Sequence, residues 1–136
     1  FGLVDKCLNG DATAAIHTLH GLKAEGTDAT VVLWALAREI RAMAAIAEAV
    51  DLGQNFSWAA KQNGVWEKRQ PQVKAALSRL RLAQLQLLLR KANGIDKAVK
   101  GMRRANPWDE LMDLILNLCG TFSLSPGVQK LALAGH

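Results

Sequence analysis

The chain has 136 residues, half of them hydrophobic and 21% charged, with a net charge of +5 and a mean hydropathy of +0.05. That length holds one domain with a real core, and that balance excludes a disordered chain. The longest apolar-rich run, LAQLQLLL at 82–89, is far too short to span a bilayer, so no membrane role is expected.

The chain opens on Phe1, without a basic start and an apolar stretch behind it, and reads as a fragment of a longer protein with no signal peptide. LVDKCLN at 3–9 predicts a short helix that ends at Gly10. Asp11 then caps a second helix, with Ala15, Ile16, Leu19, Leu22 and Ala24 as its apolar stripe and Gly26 as its stop. Thr27 or Asp28 caps the longest helix, in which Val32, Leu36, Ile40, Met43, Ala47 and Val50 step by three and four, the spacing of a helix packed in a bundle. Trp34, Arg38, Arg41 and Glu48 lie off that stripe.

NFSWAAKQNG at 55–64 predicts a short helix capped by Asn55 or Ser57 and closed by Gly64. In VWEKRQPQVKAALSRL (65–80), Val65 and Trp66 read as anchors ahead of a break, and Pro71 forces a kink or a fresh helix start. Beyond it Val73, Ala76, Leu77 and Leu80 share the core face, with Lys68, Lys74 and Arg79 on a positive outer face. Leu82, Leu85, Leu89 and Ala92 follow in a different phase, which predicts a break near Arg81. Asn93-Gly94 is expected to end that helix, with IDKAVKG (95–101) adding one or two separate turns. The clearest start signal is Asn106-Pro107 followed by Asp109 and Glu110, an N-cap, a proline in the first turn and acids at the positive end of the dipole. Leu111, Leu114, Ile115 and Leu118 form the stripe of that helix. The tail after Gly120 adds at most a short helix and is expected to be less ordered. With strand patterns and hairpin signals missing, the fold class is all-α: a single helical bundle of five or more helices.

Charge is unevenly distributed. Residues 1–60 carry four Lys/Arg against seven acids, whereas 61–104 carry twelve against Glu67 and Asp96. That middle field invites an anionic partner. Phosphate-binding loops, metal-ligand spacings and nucleophile elbows are missing from the sequence, so neither an enzyme nor a cofactor or metal site is expected. His17 and His20 share a helix face without a third ligand and read as a surface or boundary pair. Glu39 and Glu48, or Asp109 and Asp113, read as solvated, ion-paired or dipole-facing carboxylates rather than acid/base pairs. Cys7 and Cys119 sit in apolar segments and read as reduced core thiols of a cytosolic protein. The four tryptophans, Trp34, Trp58, Trp66 and Trp108, are expected chiefly as core anchors, with one or two on an exposed interface. WALAREIR is the best candidate for that interface, because Trp34 and Arg38 form an i,i+4 pair off the stripe.

LWALAREIR (33–41), VWEKRQPQVKAALSRL (65–80) and IDKAVKGMRRANPWDELMDLILNL (95–118), with the Gly-Asp turn and the L-x-x-E-G helix end before them, together resemble the C-terminal domain of the bacterial DNA polymerase III delta subunit, a clamp-loader subunit. The resemblance implies a helical collar-type domain spanning 1–136. It would hold the loader pentamer together during sliding-clamp loading in DNA replication, in the bacterial cytoplasm. Its implied partners are the gamma/tau and delta-prime type subunits, with the sliding clamp engaged only through N-terminal domains that lie outside this chain. Polymerase activity would attach to the parent subunit only through membership of the holoenzyme. On the family's motifs fall Trp34, Arg38, Glu39, Trp66 and Arg69, which with Arg41 are the subunit-interface candidates. A secondary contact with primer-template DNA would fall on Lys97, Lys100, Arg103, Arg104 and Trp108. The alternative is a stand-alone all-α nucleic-acid-binding or protein-binding domain.

Overall fold

The computed structural model describes residues 2–120, so the tail expected to be less ordered lies outside the described residues. Seven helices follow in chain order: α1 (Gly2–Leu8), α2 (Ala12–Ala24), α3 (Ala29–Asp51), α4 (Phe56–Gln62), α5 (Gln70–Arg79), α6 (Leu82–Val99) and α7 (Pro107–Leu118). The fold is an all-α bundle, and no strand occurs among the described residues.

Local chemistry sets most of the boundaries. Four side chains cap helix starts: Asp11 accepts from Ala14 N at 3.0 Å, Asp28 from Thr30 N at 2.8 Å, Asn55 from Trp58 N at 3.0 Å, and Asn106 from Trp108 N at 2.9 Å. Each satisfies an amide that the first helical turn leaves open, and losing such a cap costs about 1 kcal/mol. Pro71 sits in the first turn of α5, where its missing N–H costs nothing, so the chain starts a fresh helix there instead of kinking an old one. Arg81 is extended between α5 and α6, and its amide donates to Gln84 Oε1 at 2.9 Å. The break predicted there is present.

The predicted break at Asn93-Gly94 is not. α6 runs unbroken from Leu82 to Val99. Ile95 and Ala98 continue the buried face of Leu85, Leu88 and Ala92, and one interior glycine costs only about 1 kcal/mol against the burial gained. The stripe is also rotated from the predicted one. Leu88 is fully buried, while Leu82 and Leu89 are half-buried.

α3 and α6 pack along each other at the centre, with Leu36, Ile40 and Met43 facing the core from one and Leu85, Leu88 and Ile95 from the other. α4 lies on α3, and α7 lies against α6 and α2 with Leu111, Leu114, Ile115 and Leu118 turned inward. α1 closes the bundle against α2, α5 and α7. The expected stripes hold at most positions. Ala24 and Val50 are exposed, and Leu77, Ile16, Leu22 and Ala47 are half-buried.

Arg79 departs from its expected place on an outer face. Its Nη2 donates to Leu8 O at 2.9 Å and to Cys7 O at 3.4 Å, capping the C-terminal end of α1. Gly10 (φ +74°) and Gly120 (φ +94°) approach the same side chain so closely that a Cβ on either would lie 3.3 Å from it. Both positions therefore need glycine for the backbone angle, and a Cβ on either would also press on Arg79, which would have to give by a few tenths of an ångström.

Candidate functional site

The interface candidates divide between α3 and the turn that precedes α5. On α3, Val31, Trp34, Arg38, Arg41, Ala45 and Glu48 are all exposed, and Leu52 just past the helix end continues the row. The steps are three, four, three, four, three and four residues. One continuous ridge therefore runs the length of the longest helix on the side away from the core. Trp34 is 64% exposed and Leu52 76%. Neither Arg38 nor Arg41 has an ion-pair partner among the described residues.

Glu39 points the other way. Its side chain is 11% exposed and its Oε1 accepts from Arg69 Nη2 at 3.1 Å, while Arg69 also lies 4.0 Å from Asp5. This pair ties α3 to the 65–69 turn, and with Val4, Asp5, Ala35 and Arg38 it lines a cleft of about 400 Å³. Gln70 fixes the same turn by donating to Val65 O at 3.3 Å and accepting from Ser57 Oγ at 3.0 Å. Val65 is buried as expected, but Trp66 is 69% exposed and is no core anchor. With Trp34 and Trp58 (52%) also exposed, three of the four tryptophans face solvent, against the expectation that most would fill the core. The reason lies in register. Each stands beside residues that already fill the core, Leu33 and Leu36 around Trp34, Ala59 next to Trp58 and Val65 next to Trp66.

Trp108 is the exception. It is half-buried against the core, with Lys23 Nζ 5.9 Å from its ring centroid. The other DNA-contact candidates separate into two kinds. Lys100 is paired with Asp96 at 2.8 Å. Arg103 donates to Gly94 O at 3.2 Å and pairs with Glu110, so it fastens the loop before α7 onto α6. Lys97 and Arg104 are exposed and have no ion-pair partner among the described residues. Elsewhere in the basic stretch, Lys61 pairs with Glu67 and Lys91 with Asp113 at 3.0 Å, while Lys74 lies 5.7 Å from the Phe56 ring centroid. Half of the positive field is thus committed internally.

Sequence reasoning named Trp34, Arg38 and Arg41 but missed Val31, Ala45 and Leu52 in the same ridge. Continuing the three-four spacing in both directions from Trp34 is the signal that finds them. It also missed the apolar cleft of about 560 Å³ between the end of α3 and α5, whose walls include Val50, Phe56, Leu77 and Leu82. That cleft combines residues from four segments, and no local pattern marks it. His17 and His20 are both exposed. No helix among the described residues is long and apolar enough to cross a membrane.

Among known families, the one described as processivity clamp loader gamma complex DNA pol III C-term matches residues 1–124. No curated protein matches the chain.

Proposed function

Because the chain belongs to the family of C-terminal domains of the DNA polymerase III delta subunit, within the clamp-loader gamma complex, we propose that it is the assembly domain through which that subunit joins its neighbours in the loader. The observation that carries this reading is the exposed ridge of α3. A solvent-facing row with helix-packing spacing, holding a tryptophan and two arginines that have no ion-pair partner among the described residues, has the composition of an interaction hot spot. Its partners are the gamma/tau and delta-prime type subunits, and residues 1–136 act as one collar-type domain. Trp66, on the turn that Arg69 and Glu39 hold against α3, extends the same docking surface. Glu39 and Arg69 serve it by positioning that turn rather than by touching the partner.

Size-exclusion chromatography with the other loader subunits tests the proposal. The protein should co-elute with them, and the double variant W34A/R38A should elute alone while keeping its helical circular dichroism. Co-elution unchanged in the double variant would remove the ridge from the interface.

A second, subordinate reading is supported by Lys97 and Arg104, which, unlike the paired Lys100 and Arg103 beside them, are exposed and have no ion-pair partner among the described residues. We propose that these two, more than Lys100, Arg103 or Trp108, contact the backbone of primer-template DNA within the assembled loader. Phosphate contacts make such binding strongly salt-dependent. Binding of the assembled loader to primer-template DNA with the same salt slope after K97A/R104A would exclude it.

A further inference from the structure

The fold brings its only two cysteines together. Cys7 lies in the last turn of α1 and Cys119 follows α7, 112 positions later in the chain, yet both are buried, the two thiols perturb each other's ionisation, and the Cys119 carbonyl oxygen lies 3.5 Å from where a Cβ on Gly10, just past α1, would sit. Arg79 stands beside them. Its guanidinium is fixed by the carbonyls of Cys7 and Leu8 and lies within reach of the backbone around Gly120, and its Nε has no hydrogen-bond partner among the described residues. A cation held against a thiol pair, with hydrogen-bonding capacity left over, is an arrangement that activates one sulfur.

From this placement we infer that Cys7 and Cys119 form an oxidation site, in which hydrogen peroxide converts the thiol pair into an internal disulfide joining the two ends of the bundle. The inference stands apart from the assembly role, since neither cysteine lies on the α3 ridge.

The two thiols are not equivalent. The hydrogen bond from Cys7 pulls the Cys119 thiol below the ordinary range, with the Arg79 charge acting in the same direction against the cost of burial. That hydrogen bond and burial push Cys7 up. Cys119 is therefore the attacking sulfur, and at 5% exposure it is also the one nearer solvent. Its proton passes to solvent, and the thiolate attacks one peroxide oxygen. An S–O bond forms, the O–O bond breaks, and the departing hydroxide takes up a proton as water. Cys119 is now a sulfenic acid. The Cys7 sulfur attacks it, the S–S bond forms, the S–O bond breaks, and the leaving hydroxide departs with the Cys7 proton as a second water. Two thiols have lost two electrons and two protons, and one hydrogen peroxide has become two waters.

The test treats the purified protein with hydrogen peroxide, quenches it by unfolding in an alkylating agent, and maps the peptides by mass spectrometry. A mass lower by two hydrogens, a Cys7–Cys119 cross-linked peptide and reversal by dithiothreitol are expected. Oxidised protein should also unfold at a temperature higher by roughly 10 °C, because the link closes a long loop in the unfolded chain. C7S should stop at a singly oxygenated Cys119, and C119S should leave Cys7 a free thiol. The rate of thiol loss should level off below the ordinary thiol range as pH rises, since Cys119 ionises early. Both thiols recovered in alkylated form, a link between two copies, or a stable oxyacid on Cys119 of the unaltered protein would overturn the inference. These readouts on the unaltered protein decide the matter even where a serine variant fails to fold.

Discussion

The outer edge of α3 and the basic stretch at 61–104 both present arginines, and they differ in what those arginines touch. Along α3, Arg38 and Arg41 lie in one exposed row without an ion-pair partner among the described residues, next to an exposed tryptophan. In the basic stretch, Arg69, Lys91, Lys100 and Arg103 each meet a carboxylate, and Arg79 is absorbed by backbone carbonyls. Counting charge favours the second region by far. Counting the share of cations that still lack an ion-pair partner among the described residues favours the first, where both arginines do. For a surface that must recognise another molecule, the second count matters more, because a committed cation has already lost most of what it could gain from a new contact.

The comparison can be broken most decisively by moving along α3 itself. Leu36→Ala, on the buried side, should cost about 2–5 kcal/mol in thermal or denaturant unfolding. Trp34→Ala, two positions away on the ridge, should change stability by less than about 0.5 kcal/mol while weakening association with loader subunits by about 2 kcal/mol, roughly 30-fold, in a titration by surface plasmon resonance. Equal stability losses at the two positions would erase the distinction between a core face and a docking face. Next in size is Glu39→Gln, which leaves Arg69 facing a neutral amide across α3. With Arg69 partly solvated, a loss of about 1 kcal/mol in denaturant unfolding is expected. The smallest effects sharpen the basic region. Arg104→Ala should lower the salt slope of DNA binding by the assembled loader by about 1, while Arg103→Ala should leave that slope nearly unchanged and act on unfolding instead. Fluorescence anisotropy over a salt series separates the two.

Much of the architecture was legible because its signals are local. Asp11, Asp28, Asn55 and Asn106 cap the helices that the chain pattern marks, and Pro71 opens α5. The stripes of α3 and α7 follow from side-chain spacing alone. What escaped the sequence depends on partners distant in the chain. Asn93-Gly94 reads as a helix end until Ile95 is seen to be held in the core beside α3 and α7. Arg79 looks like a surface cation because its target is a pair of carbonyls 71 and 72 positions upstream. The tryptophans were misplaced for another reason. Their size argues for burial, but the positions around them already fill the core, and a large side chain left outside then becomes available to a partner.

The Arg79 contact has a mechanical consequence. By gripping the last turn of α1 while lying against Gly120 just past α7, it fastens the ends of the first and last helices on one small patch. A pull applied between those ends would load that patch first, peeling α1 away before any tension reached the long α3–α6 pair. The bundle would yield at its clasp while its spine stayed intact, and the docking ridge of α3 would keep its shape under strain.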